Sequence, residues 1–169
     1  MIYWALFIGS LMLSGYHFLL DSANQYISAD INSAVNYIDR SRIALAEWKK
    51  EHTGEETEVA FEELLFPQEY QKRNDVRFFV NDEGIYIAIE HPPRGLAETL
   101  AEKYSSATGS NGLQWHLGYY HVGFKNANGC LSTVLYYKEE SQLAGDCTRP
   151  LPATINSGDL VLTDRDSQG

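Results

Sequence analysis

Three histidines, His91, His116 and His121, and two adjacent carboxylate pairs, Glu55-Glu56 and Glu62-Glu63, are the side chains best suited to bind a metal or move a proton. Their spacing argues against both. His116 and His121 are five residues apart in a strand-like stretch, where side chains alternate between faces with period two. They would meet at one ion only across a bulge, so neither a metal nor another cofactor is expected. General acid–base work needs two carboxyls in unlike environments converging on one cleft. Neighbouring glutamates on an acidic loop read instead as solvated surface. The chain contains no GxSxG, HExxH, GxxxxGK[ST] or GxGxxG pattern, so no catalytic residue is assigned and an enzyme is not expected.

Cys130 and Cys147 are the only cysteines, and they form no CxxC. In an oxidising compartment the pair would close a loop of about 17 residues, a closure worth about 3 kcal/mol. Trp115, Tyr119, Tyr120, Tyr136 and Tyr137 are candidate binding aromatics for a sugar or a protein. The competing reading makes them core residues and cross-strand neighbours. A net charge of −10 over 169 residues and a pI near 4.8 exclude nucleic acid as a partner, because that binding rests on Lys and Arg neutralising phosphates. They also exclude broad electrostatic docking on anionic lipid.

The elements that must position these groups begin with MIYWALFIGSLMLSGYHFLL, which has no Asp, Glu, Lys or Arg. About 20 apolar residues suffice to cross a bilayer as a helix. A cleavable signal would carry a basic start and a small-x-small site. Here Leu13 stands where a small residue is wanted, and Tyr16 replaces the cysteine a lipoprotein needs. Residues 1–20 are therefore expected to be an uncleaved transmembrane anchor.

Residues 21–53 continue as an amphipathic helix. Ile31, Ala34, Ile38, Ser41, Leu45 and Trp48 step by three and four along one face, making a stripe for helix packing. That stripe is expected to face the chain's own sheet, neighbouring subunits, or both along different lengths. Gly54 can end the helix. Residues 54–169 are expected to form an extracytoplasmic α+β domain. Within it the patterns indicate a short helix around Glu58–Leu65, a hairpin in RFFVNDEGIYIAI, a helix over Gly95–Tyr104, a hairpin about NANG (Asn126–Gly129), and a last strand in DLVLT. The fold class is α+β, with a long N-terminal helix, an antiparallel sheet and one further helix.

This layout resembles that of type IV pilins, although a short basic leader ending in Gly before Phe, with Glu at the fifth position, does not occur. A processed major pilin is therefore not expected. Three segments, NYIDRSRIALAEWKKEH, GIYIAIEHPPRGLAETL and LPATINSGDLVL, are similar in order and spacing to the PilM family of type IVB and conjugative thin-pilus systems, which is distinct from the actin-like protein of that name. The resemblance implies a pilin-like component of type IV pilus biogenesis in the bacterial inner membrane. It would pass the membrane once, place its bulk in the periplasm, and act through contacts with other pilus-assembly or pilin subunits. Two alternatives stand beside it. One is a minor pilin or pseudopilin built into the fibre, and the other is a secreted enzyme or carbohydrate-binding domain freed by cleavage.

Overall fold

The computed structural model describes residues 2–105, 120–132, 147 and 149–164, with side chains described from residue 27 to 104, 121 to 132, at 147, and from 149 to 164. Helix α1 runs unbroken from Ile2 to Glu51. No proline interrupts it, and Lys49 and Lys50 occupy its last turn, where the helix dipole favours cations. Gly54, at φ +83°, turns the chain away in a conformation that only glycine adopts cheaply. The His52 ring stacks on Trp48 with centroids 4.0 Å apart, and its Nδ1 lies 3.0 Å from the Trp48 carbonyl.

Among the described residues the sheet has seven antiparallel strands, in the order β1-β2-β3-β7-β4-β5-β6. They are β1 (Thr57–Val59), β2 (Val76–Asn81), β3 (Gly84–Ile89), β4 (Tyr120–Lys125), β5 (Cys130–Ser132), β6 (Arg149–Pro150) and β7 (Leu160–Asp164). The hairpin of β2 and β3 closes across Asn81 and Gly84, and Asn81 Oδ1 accepts the Gly84 N–H at 3.0 Å. A Cβ on Gly84 would lie 2.1 Å from the Asp164 carboxylate, so any side chain there would force that carboxylate to move. The last of the described strands, β7, sits at the centre, between β3 and β4.

The span expected as a helix around Glu58–Leu65 is instead strand β1 followed by a 3₁₀ turn at Phe61–Glu63. Val59 is buried while Thr57 and Glu58 face solvent. Pairing with β2, Val59 opposite Phe78, satisfies backbone groups that a one-turn helix before Pro67 would leave open.

Alternation along the strands gives the sheet two apolar faces. One carries Phe78, Val80, Ile85, Ile87, Leu160 and Leu162, and it packs against α1 and α2 (Leu96–Ser105). The other carries Phe79, Tyr86, Ala88 and Val161 beneath Leu151 and Ile155. The cover over that second face is held by Lys125, 5% exposed, whose ammonium donates to the Pro152 and Ile155 carbonyls at 2.8 and 2.6 Å. Buried Arg149 donates to the Asp164 and Glu83 carbonyls, both at 2.7 Å, and so ties β6 to β7 and to the β2–β3 turn.

Candidate functional site

The packing stripe on α1 is turned inward over most of its length. Ala34, Ile38, Ser41, Leu45 and Trp48 are buried in the core beneath the sheet, and Ile31 is half-buried at its margin. Ser41 meets the apolar surroundings by donating to the Tyr37 carbonyl at 2.8 Å. Tyr37, buried one turn away, accepts the Arg73 backbone N–H at 3.3 Å, and burial pushes its hydroxyl up in pKa. Asp39 accepts hydrogen bonds from Lys103 and Tyr104 and so joins α1 to α2. Of the surfaces the stripe was expected to face, Ala34, Ile38, Leu45 and Trp48 face the chain's own core. Among the described residues, the large apolar side chains left exposed are Ile27, Ile43 and Leu65.

Residues 1–20, expected to cross the membrane, lie outside the described side chains. Among the described residues no helix is long and apolar enough to cross a membrane. Of the candidate aromatics, Trp115, Tyr119, Tyr136 and Tyr137 lie outside the described residues, as does His116. Tyr120 opens β4 opposite Asp164. His121 stands opposite Thr163, and His91 lies at the far end of the sheet from it, after β3. Among the described residues no group of three His, Cys, Asp or Glu side chains could hold a metal ion. Glu55, Glu56, Glu62 and Glu63 are exposed, and Glu62 pairs with Lys72 at 3.5 Å. Cys130 and Cys147 are joined as a disulfide, with Cα atoms 5.1 Å apart. The bond anchors the segment leading into β6 to β5.

One concave feature has no counterpart in the sequence reading. A cleft of about 670 Å³ opens between the loop entering α2 and the turn before β7, lined by His91, Pro93, Ala97, Glu98, Phe124 and Asp159 among others. Two elements shape its upper wall. His91 holds a left-handed backbone at φ +52°, a conformation that costs a non-glycine residue free energy. Gly95, at φ +90°, lets its carbonyl accept the Thr99 N–H and hydroxyl at 3.1 and 2.8 Å. The lower wall is the turn Asn156–Asp159, where Asp159 Oδ2 accepts the Asn156 N–H at 3.1 Å. Burial raises the Asp159 pKa, and the Asn156 hydrogen bond opposes that shift. The available signal was the pair of motifs HPPRG and NSGD, each a turn by composition. Nothing local shows that they meet.

Comparison with protein-family models, curated proteins and solved structures gave no match for this chain.

Proposed function

We propose that this chain is a membrane-anchored, pilin-like component of type IV pilus biogenesis that acts through protein–protein contacts. The observation that carries the reading is the length of α1 against the extent of its packing. Fifty helical residues span about 75 Å at 1.5 Å per residue. Among the described side chains, those of α1 that enter the core run from Ile31 to Trp48. Ile2–Asp30 makes up about 44 Å of that helical length, enough for a bilayer span of about 20 residues and a short polar collar.

Such a helix serves assembly because it fixes the distance between a globular head and the membrane. The resemblance of the three quoted segments to the PilM family supports pilus biogenesis as the setting and other pilus-assembly or pilin subunits as partners. The disulfide supports an oxidising compartment such as the periplasm, with residues 1–20 in the inner membrane. With the Ala34–Trp48 stripe spent on the chain's own core, partners would meet the upstream part of α1, where Ile27 is half-exposed.

The test is membrane fractionation with alkaline carbonate washing, followed by N-terminal sequencing of the retained protein. The expected result is a carbonate-resistant pellet whose protein keeps Met1. A soluble protein beginning near Tyr16 would overturn the anchor, and recovery in sheared filaments would move the protein into the fibre itself.

A further inference from the structure

The cleft between HPPRG and the Asn156–Asp159 turn has the features of a specific receptor, and its chemistry is separate from that of α1. Its walls combine apolar Pro92, Pro93, Ala97 and Phe124 with polar His91, Arg94, Glu98 and Ser157. Asp159 brings a carboxylate into this setting while only 6% exposed. One of its oxygens accepts the Asn156 N–H. Its other oxygen, Oδ1, accepts no hydrogen bond among the described residues, and Asp159 forms no ion pair there. A buried carboxylate normally sits beside a cation or several donors.

Arg77 and His91 act on Asp159 through their charge without pairing with it, and Arg77 and Lys125 direct their hydrogen bonds elsewhere. Arg77 forks onto the Glu58 carboxylate at 2.9 Å through both Nε and a terminal nitrogen. The Lys125 ammonium is held by the Pro152 and Ile155 carbonyls. His91 and Arg94 are exposed at the mouth. The N-terminus of α2 also borders the cleft, and its positive end would repel a cation. Glu98, in the first turn of α2, offsets that field. What remains is a depression whose walls suit a methylene chain and whose buried wall offers one open carboxylate oxygen.

We infer that this cleft receives a lysine side chain of a partner protein, its methylene stem lying along the proline and phenylalanine walls and its ammonium donating to Asp159 Oδ1. Lysine fits this division because its stem is apolar and its charge is confined to the tip. A charge-assisted hydrogen bond to a desolvated carboxylate is among the stronger single polar contacts. The net charge of −10 favours approach by a basic surface over an acidic one.

The experiment is an NMR titration of the full chain in detergent micelles with N-acetyl-lysine methylamide, following the Gly158 and Phe124 amide resonances. N-acetyl-norleucine methylamide is the uncharged control and butyrate the anionic one. The expected result is saturable shifts with the lysine probe alone, with affinity about tenfold weaker or worse in Asp159→Asn. Ser157→Trp, at an exposed position on the rim, keeps the carboxylate and is expected to abolish the shifts by filling the mouth. It gives the same readout should Asp159→Asn fail to fold. Absence of saturation, equal binding of norleucine, preference for butyrate, or unchanged binding in either folded variant would each overturn the assignment.

Discussion

The Lys125 ammonium donates to the Ile155 carbonyl at 2.6 Å, and this contact fastens a loop to a sheet face that would otherwise lie open. Ile155 and Leu151 are the lid over Phe79, Tyr86 and Val161, and Lys125 reaches them from β4 across the turn. Lys125→Met keeps the stem but leaves the Pro152 and Ile155 carbonyls without their donor. The expected loss is about 1–3 kcal/mol, read as a lower urea midpoint, together with new protease cleavage between residues 151 and 158. An unchanged midpoint would show that water replaces the ammonium at no cost.

The orientation of α1 is open to a paired test. Leu45 is fully buried, and Leu45→Ala is expected to cost about 2–5 kcal/mol through lost burial and the cavity left behind. Ile43, two residues earlier and 45% exposed, should change stability by less than about 0.5 kcal/mol on truncation to Ala. Chemical denaturation of both variants measures the contrast, and similar losses at the two positions would contradict the inward-facing stripe.

At Gly84 the nearest obstacle to a side chain is Asp164, with the Arg149 guanidinium behind it at 3.2 Å. The Asp164 carboxylate that a Cβ would strike also accepts the Ile85 N–H at 3.0 Å. Gly84→Ala therefore costs both a steric shift and that hydrogen bond, about 2 kcal/mol together. In an Asp164→Ala background the same substitution should cost at least about 1 kcal/mol less, a coupling that a double-mutant cycle reads directly.

Carboxyl groups of opposite character set the acid side of the stability profile. The Arg73 guanidinium donates to both Asp75 oxygens, at 3.0 and 2.8 Å, and holds that carboxyl below its usual pKa. Its contribution is present above the unfolded pKa and disappears as pH falls through the lower folded value. Burial raises Asp164, so its contribution is complete in acid and is lost as pH rises through the folded value. Asp75→Asn should therefore lose about 0.5–1 kcal/mol at neutral pH and converge on the parent in acid. Asp164→Asn, which keeps an oxygen for the Ile85 N–H, should gain on the parent as pH rises through the carboxyl range. Denaturation midpoints across pH 2–7 distinguish the two curves.

Reduction of the Cys130–Cys147 bond frees a loop of 17 residues in the unfolded chain. The expected penalty is about 3 kcal/mol, measured as the difference in urea unfolding with and without reductant. Cys130→Ser/Cys147→Ser should reproduce the reduced curve.

Period-two patterning in RFFVNDEGIYIAI and the proline pair before GLAETLAEKY made the first hairpin and α2 legible, because both elements are built from contacts close in sequence. Strand β1 was not, since three residues inside an acidic stretch become a strand only when β2 supplies their partners. The spacing from Ile31 to Trp48 defined one face of α1 correctly, but periodicity cannot say whether a sheet or another molecule covers it. The cleft was illegible for a related reason. An aspartate in NSGD looks like a turn former, and its burial depends on Phe124 and the His91–Gly95 loop arriving from distant parts of the chain.

Strand β7 follows the other described strands in sequence, yet it lies between β3 and β4 and bridges two blocks, β1-β2-β3 and β4-β5-β6. Among the described residues, neither block pairs with the other except through those five residues. A chain emerging from the ribosome or a translocation channel can form its first hairpin early, but the seven strands cannot join until Leu160–Asp164 is free to insert. Completion of the sheet is thereby tied to the insertion of β7. Until then each block presents a raw backbone edge that a chaperone could hold and a second unfinished copy could capture.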